Sequence, residues 1–387
     1  MQSNIPSSPK RIAVCMLTSS HMALDNRIYD KEAKSLADAG YSVAIIGQHP
    51  QREVRDEIQF IPLPAARTRF QRLVLMPFRL WKLALRQRAA IYHFHDPELI
   101  PLGLLLKLRG KHVIYDVHED YEQTMLAAAW IPRPLRWLVS RLWGGCERLG
   151  SRCFDHVIVV DSQIRRKFPA SKTTMITNVP PLAFLGESKP AEDDGKFRVL
   201  FIGAIQRARG IHAVLQALDL VKSPHVELHV VGQVLDPRLQ ESLNTNPRVV
   251  CHGRLPWKQV RAVLEQARLG LMLFQPTPAH LRFTGEGNTK LFEFMSLGLP
   301  VLFSDFPILR QFIYSIGAGF AVDPTSPEKI AAAIDHLCRN PELCRKMGER
   351  GQQAVRTQFH WEAEAKKLLA AYEGVMSGRQ DTSGVAP

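Results

Sequence analysis

A short apolar run that ends in a polar or glycine turn and is followed by a helical pattern recurs along this chain, and that alternation constrains its fold more than any other feature. In the first half the runs are Arg11–Leu17, Ser42–Ile46, Ala90–Phe94 and His112–Tyr115, with a helix near Tyr29–Ala39, and Val157–Val160 and Thr174–Thr177 close the series. Such a rhythm predicts a parallel sheet with crossover helices. From Asn178 the chain changes to Pro180-Pro181 and then to the polar stretch Glu187–Gly195, the composition of a linker. The alternation then restarts. Phe197–Ile202 ends at Gly203, a helical pattern covers Ile211–Val221, Val226–Val231 ends at Gly232, Val249–His252 ends at Gly253, and Leu269–Phe274 and Val301–Phe303 follow. Beyond Pro327 the pattern is helical, with Trp361–Val375 as a last amphipathic helix. A chain of 387 residues is too long for one ordinary core. Two α/β domains of similar size are expected.

Composition narrows the setting. With 45% hydrophobic and 22% charged residues the chain is that of a soluble globular protein. Its six cysteines form no C-x-x-C and no cluster with histidine, which argues against structural zinc or a disulfide framework and for reduced thiols in a cytoplasm. No secretory leader and no window of membrane-spanning length is read. The net charge of +13 is unevenly placed: residues 1–180 hold 26 Lys/Arg against 16 Asp/Glu, and residues 181–387 hold 24 against 21. An anionic partner is therefore expected mainly at the first half.

The reactive centre is expected at Thr284–Pro300. Gly285 and Gly287 free the backbone, Asn288 is a good N-cap, and Thr289–Met295 reads as a helix ended by Gly298 and Pro300. The first amides of a helix attract an anion, and Lys290 adds a full charge. Glu293, one turn on, either turns its carboxylate to the hydroxyls of a sugar or is a solvated residue of a capped surface helix. The loop Gly203–Gly210 joins a strand to a helix, so Arg207 and Arg209 fall at the carboxyl edge of the sheet, where α/β ligands bind. Cations at two such junctions of one domain suit a diphosphate.

In the first domain, His93-Phe-His-Asp-Pro-Glu98 and Asp116-Val-His-Glu-Asp120 each follow an apolar strand. His118 is a candidate hydrogen-bond donor or general base, or a residue that only ties down its loop. Metal binding by His93, His95 and His118 is a weak alternative, since no spacing here is specific for zinc, and no metal is expected. Residues 65–90 carry seven Lys/Arg and no acid among many large apolar side chains, and Trp130–Arg152 repeats the theme. After Pro77, Arg79, Lys82 and Arg86 line one face, while Phe78, Leu80, Trp81, Leu83 and Leu85 fill the rest. This is either a helix lying on an anionic membrane or an ordinary crossover helix packed on the sheet. Nucleic acid ranks last, because no groove-reading or single-strand motif accompanies the charge.

Taken together, these segments resemble the retaining family-4 glycosyltransferases (glycosyl transferases group 1) of the GT-B fold. The segments that carry the resemblance are Ala33–Tyr41, Asp116–Glu119, Arg209-Gly210, Lys290–Val301 with Ser304-Asp305, and Phe359–Glu362. The resemblance implies two Rossmann-like domains facing across a cleft: an acceptor-binding domain at 1–180, a linker at 181–196, a nucleotide-sugar domain at 197–358, and a crossover helix and tail at 359–387 that return to the first domain. It implies that Arg209 and Lys290 hold the donor diphosphate, with Gly203, Asn288, Thr289 and Leu291 around the same site. Glu293 would bind the ribose as the second acid of an E-x7-E motif, and His118 would contact the donor sugar. The first acid of that motif falls on Gly285, with Glu286 displaced by one, and Glu286 is carried as a catalytic candidate. The usual Gly-Gly loop after the first strand is replaced by Ser19–Arg27, where Arg27 is a candidate cation. Expected chemistry is transfer of a sugar from a nucleotide-diphosphate sugar to a hydroxyl of a glycan or lipid-linked acceptor with retention, without cofactor or metal, at the inner face of the cytoplasmic membrane. A sugar-nucleotide epimerase and a non-catalytic glycosyltransferase-like subunit are the alternatives.

Overall fold

The computed structural model describes residues 12–378, apart from residues 69, 129, 186–193 and 283 and the side chains of 257 and 258. It divides into two compact units, one running to Thr177 and resuming at Glu364, the other Asn178–Ala363. Of the expected linker at 181–196, residues 186–193 lie outside the described residues; just before that gap Leu182–Phe184 forms a single turn with Phe184 buried.

The first unit is built on an eight-stranded sheet: β1 (Ala13–Met22), β2 (Ser42–Gln48), β3 (Glu53–Arg55), β4 (Ile58–Leu63), β5 (Ile91–Phe94), β6 (His112–Val117), β7 (His156–Val159) and β8 (Thr173–Met175). The strands lie in the order β3-β4-β2-β1-β5-β6-β7-β8, and every pairing is parallel except the β3/β4 hairpin. Helices cover the sheet, so strands such as β5 and β7 are fully buried and mostly apolar, with His93 and His156 as their polar members. The chain winds from β1 to β2 on one side and returns to place β5 on the other, so the connections diverge between β1 and β5. That switch point opens a crevice at the carboxyl ends of the strands. Here β1 slips out of register with β2 between Leu17 and Met22, which lets Thr18–His21 leave the regular ladder.

The second unit holds a six-stranded, wholly parallel sheet: β9 (Phe197–Ile202), β10 (Val226–Val231), β11 (Val249–Gly253), β12 (Leu269–Met272), β13 (Val301–Ser304) and β14 (Gly319–Val322). Their order, β11-β10-β9-β12-β13-β14, is the doubly wound arrangement with its switch point between β9 and β12. The last helix, Trp361–Ser377, begins in this unit, where the Trp361 amide donates to Pro180 O at 2.9 Å. From Glu364 it belongs to the first unit, whose core buries Tyr372 completely.

One buried acid in the first unit sets a pH dependence. Glu147, on the helix Arg133–Cys153, accepts a 2.7 Å hydrogen bond from the Tyr115 hydroxyl of β6. Burial pushes its carboxyl up to about 7, against the opposing pull of that hydrogen bond and of Lys167. The folded state therefore holds a proton that the unfolded chain releases near pH 4.5, and stability present at low pH is lost as pH rises through 7. Glu147→Gln is expected to remove this component, worth on the order of 3 kcal/mol. Urea denaturation at pH 5 and pH 8 checks it: the wild type should lose more stability between the two than the variant, and equal losses would refute the assignment.

Candidate functional site

In the second unit, the loop after β9 and the helix after β12 flank the switch point. Gly203 follows β9 with φ +130°, and a Cβ placed on it would lie 2.7 Å from Arg209 Nη1, so the glycine makes room for a guanidinium folded back over its own loop. The Arg209 guanidinium also lies 6.0 Å from the centre of the Phe274 ring. Arg207, its companion in sequence, is 61% exposed and reaches Asp236 at 3.5 Å.

The helix predicted at Thr289–Met295 is present as Thr289–Ser296, and Asn288 caps it, accepting from the Lys290 amide at 2.9 Å. The Leu291 amide donates to Asn288 O at 3.2 Å. Two of the first amides expected to face an anion are thus spent on the cap. The Leu291 side chain is fully buried in the core. The solvated reading of Glu293 is overturned: its side chain is 4% exposed, and Oε2 accepts from Lys290 Nζ at 2.9 Å. The site therefore holds a cation and an acid paired one turn apart, with the acid on the core side. Gly285 has φ +87°, and a Cβ there would meet Leu309 and Phe312 at 3.0 Å. An acid at this position would have to strain the turn, which gives the displacement of the acid to Glu286 a steric reason. The Glu286 amide donates to Thr284 Oγ1 at 3.3 Å.

In the first unit the carboxyl ends of β5 and β6 gather a buried polar cluster. Arg27 grips Asp116 with two hydrogen bonds, Nε to Oδ2 at 2.8 Å and Nη2 to Oδ1 at 3.0 Å. Its Nε also lies 3.0 Å from Glu32 Oε1, and its Nη1 donates to Ile176 O at 3.1 Å. The helix that carries Arg27 and Glu32, Asn26–Ala33, starts on a cap in which Asp25 accepts from the Arg27 and Ile28 amides, and continues as Lys34–Asp38. His118 Nε2 donates to Asp116 Oδ2 at 2.8 Å, and His95 Nδ1 lies 3.2 Å from the same oxygen. His93 Nδ1 shares a 2.9 Å hydrogen bond with the Tyr372 hydroxyl of the last helix. A second link joins that helix to the unit, Glu364 Oε2 accepting from the Thr177 amide at 3.0 Å.

Charge is balanced inside this cluster. Burial alone would raise Asp116, but Arg27 and His118 beside it hold its carboxyl well below the usual range. Burial and the neighbouring Asp116 push Glu32 well above its own, against the opposing pull of Arg27. Burial lowers His93 well below its ordinary value and lowers His95 as well, so both are neutral. Glu32, His93, His95 and Asp116 offer ligand atoms within 4.8 Å of one another, a spacing a metal ion could use. Arg27 already supplies the positive charge those carboxylates require. Sequence reasoning placed Arg27 as a cation for a ligand; at 3% exposure and paired with two acids, it is instead the internal counter-ion that orients Asp116 and, through it, His118.

The sequence reading missed Glu32, Asp96, Tyr372 and Glu364 as members of this network. Asp96 is buried beyond β5 and accepts from Thr18 Oγ1 and the Ser19 amide, each at 2.7 Å, and from the Ser20 hydroxyl. His21 lies beside it, Nε2 3.6 Å from Asp96 Oδ1, and its ring centre is 5.1 Å from that of His118.

The basic helix after residue 65 is also revised. Gln71–Leu75 and Met76–Gln87 form a continuous helical segment, and Met76, Leu80 and Ala84 pack into the core. Leu80 thus belongs to the sheet-facing side. Arg79, Lys82 and Arg86 are exposed together with Phe70, Leu73, Val74, Leu75 and Phe78. On the helix Arg133–Cys153, Leu135, Trp137, Leu138 and Leu142 are exposed as well. Among the described residues no helix is long and apolar enough to cross a membrane.

The chain is similar to known proteins along nearly its whole length. A model described as glycosyl transferases group 1 matches residues 187–354, and one for a glycosyl transferase 4-like domain matches residues 30–178. A D-inositol 3-phosphate glycosyltransferase from Segniliparus rotundus is 27% identical over 314 residues, which cover 75% of this chain and 67% of that one. The sucrose-phosphate synthase of Thermosynechococcus elongatus superposes with a TM-score of 0.76 at 20% identity, covering 95% of this chain and 100% of that one. HepE of Anabaena, solved with UDP and glucose, superposes with a TM-score of 0.71 at 13% identity over 94% of this chain and 100% of that one.

The Arg27 pairing generates a test. Arg27→Ala leaves Asp116 buried without its counter-ion and should cost about 3–5 kcal/mol. Urea denaturation reads this directly. A loss below about 1 kcal/mol would mean that Asp116 is neutralised by something other than Arg27.

Proposed function

Because the chain belongs to the group 1 glycosyl transferases of the GT-B fold and is a glycosyltransferase, we propose that it transfers a sugar from a nucleotide-diphosphate donor to a hydroxyl acceptor with retention of configuration. The observation that carries the donor assignment is the pair of strand-to-helix junctions flanking the β9/β12 switch point, one bearing Arg209 over Gly203 and the other Lys290 beside the buried Glu293. HepE, which shares the fold, was solved with UDP and glucose, in keeping with a nucleotide sugar as the donor. In this reading Arg209 and Lys290 neutralise the departing diphosphate, aided by the helix terminus at Asn288 and Thr289. Lys290 then shares its charge between the phosphate and Glu293, whose carboxylate accepts from the ribose hydroxyls. Glu286 takes a place on the sugar side of the donor, and His118, held by Asp116, donates or accepts a hydrogen bond to the sugar being moved.

The chemistry follows from the groups present. With the diphosphate held by fixed cations, the bond from the anomeric carbon to the phosphate oxygen weakens, and the acceptor oxygen forms its bond on the same face. The acceptor proton passes to the leaving phosphate, so no nucleophilic carboxylate and no metal is needed. The acceptor is assigned to the first unit and is a glycan or a lipid-linked saccharide of the cell envelope. The protein works peripherally at the cytoplasmic face of the membrane, with Arg79, Lys82 and Arg86 meeting anionic headgroups while Phe78 and Trp137, 57% and 64% exposed, enter the interface.

Two measurements test this. A thermal-shift screen of the full-length protein against UDP-, GDP-, dTDP- and CMP-sugars should single out one donor, because a ligand that binds only the folded state raises Tm. The shift should vanish in Arg209→Ala; a shift that survives takes Arg209 out of the donor site, and no shift with any sugar nucleotide sinks the transferase assignment of the second unit. In a flotation assay on vesicles containing anionic lipid, exchange of Arg79, Lys82 and Arg86 for Gln should release the protein. Each charge is worth about 1 kcal/mol at such a surface. A triple variant that stays bound refutes the membrane face.

A further inference from the structure

The second unit carries a groove of about 730 Å³ that the donor chemistry does not use. It runs between the helices Ile211–Leu220 and Pro237–Thr245, which follow β9 and β10. Its walls repeat at helical spacing, with His212, Gln216 and Asp219 on the first helix and Arg238, Ser242 and Thr245 on the second. Residues 212 and 219 are two turns apart, so the groove is about 10 Å long. Its volume lies within the range of about 300–1,000 Å³ usual for ligand sites.

The two ends differ in charge. At the end nearest the carboxyl edge of the sheet stand Arg207 and Arg238. Arg207 is exposed and lies 3.5 Å from Asp236, at the limit of a hydrogen bond. Arg238 is exposed too, and its guanidinium has no carboxylate partner among the described residues. At the other end Asp219 accepts from Asn246 Nδ2 at 3.1 Å, and Arg248 is spent on the Leu218 and Val221 carbonyls at 3.2 and 3.0 Å. One end is therefore short of negative charge and the other is not. A pair of guanidiniums suits a phosphate, while Asp219 would repel a second one. That polarity disfavours a nucleic-acid strand, whose charge repeats along its length. Between the ends, Gln216, Ser242 and Thr245 offer hydrogen bonds to hydroxyls above a buried floor of Leu215, Leu218 and Leu239.

The groove also touches the donor junction. Ile205 and Val234 bridge the loops after β9 and β10, the Ile205 amide donating to Gln233 O at 2.9 Å and the Leu235 amide to Ile205 O at 3.0 Å. Arg207–Arg209 is a single turn, so the arginine at the groove and the arginine over Gly203 are two residues apart. Between them, Ala208 O accepts from the Gln275 amide at 2.9 Å. A ligand that immobilises Arg207 thus acts on the segment that presents Arg209, and ordering that segment in advance lowers the entropy lost when the donor binds.

We propose that this groove binds a phosphate monoester with a hydroxylated body, a sugar phosphate or a nucleoside monophosphate, and that its occupancy tightens the donor. The binding claim stands on the groove alone; the coupling rests on the donor reading of Arg209 given above. The phosphate sits between Arg207 and Arg238, and the body lies along Ser242 and Thr245 toward Asp219. Effector and donor then strengthen each other by the same factor.

The test is isothermal titration calorimetry of the full-length protein with glucose 6-phosphate, AMP and inorganic phosphate, each with and without the sugar nucleotide that raises Tm. One ester should bind saturably with the donor present and more tightly than inorganic phosphate, and which ester binds separates a sugar from a nucleoside. Arg238→Gln should weaken it at least about tenfold, the loss of one hydrogen bond between charged groups. Ser242→Trp, which fills the middle of the groove, should abolish binding. Both variants should keep the donor-induced rise in Tm, which shows that they are folded. The ester should tighten the donor about fivefold, the lower bound of usual couplings. Four outcomes overturn the site: no saturable ester binding, inorganic phosphate binding as tightly as the esters, esters displaced by the donor, or ester affinity unchanged in either variant. Ester binding that leaves donor affinity unchanged overturns the coupling. Absence of any donor-induced shift overturns the transferase reading instead, and the titrations without donor still decide the groove.

Discussion

The bidentate contact between Arg27 and Asp116 is the interaction on which the first unit is arranged. Isolated, either charge would be untenable at its depth, since burying an unpaired ion costs several kcal/mol. Together they form a neutral pair with oxygens to spare, and those oxygens fix two histidines: Asp116 Oδ2 receives His118 and faces His95. Glu32 lies against the same guanidinium, its carboxyl pushed well above the usual range by burial and by Asp116. The same cluster adjoins the last helix through His93 and Tyr372. A residue that looks in sequence like a surface cation therefore sets the orientation of the histidine most exposed to chemistry.

The second unit places its charged side chains at the two junctions beside its switch point. It uses glycine to admit a guanidinium at Gly203 and a helix start to place Lys290, which is paired with Glu293. A lysine paired with a buried carboxylate is held in one rotamer, which lowers the entropy lost when a phosphate arrives. The cap on Asn288 takes amides that an anion could have used, so charge on side chains has more of the burden here than bare backbone.

The architecture was legible because parallel strands buried on both faces must be apolar runs, and the helix at Thr289 because its cap and stop residues lie close in sequence. What escaped was set by partners far away in the chain. The β3/β4 hairpin turns through Asp56 and Glu57 with φ of +49° and +59°, a turn usually made by Asn-Gly, so no turn signal marked it. Arg27 and Glu32 meet Asp116 across about 85 to 90 positions of chain, and Tyr372 meets His93 across 279. Between a membrane face and a sheet face the sequence left Leu80 open, because a helix with apolar residues on most sides does not declare which of them the sheet will cover. Periodicity tells which residues share a side; only packing tells which side is in.

The two switch points, β1/β5 and β9/β12, arise from the same winding rule and carry different side chains. Around β9/β12 the nearby ionisable groups include Arg209, Lys290 and Glu293. Around β1/β5 they include Asp96, Glu98 and Asp116 together with Arg27, Arg72, His21, His95 and His118. The fold supplies a crevice in each unit as a consequence of how a parallel sheet is wound, whatever the sequence. Which molecule occupies it is decided by a handful of side chains just past the strand ends. Those loops contribute little to the core, so they are free to differ between proteins that share the architecture. This is why the match to the glycosyl transferase family models identifies the kind of reaction here, while the choice of acceptor is left to those loops.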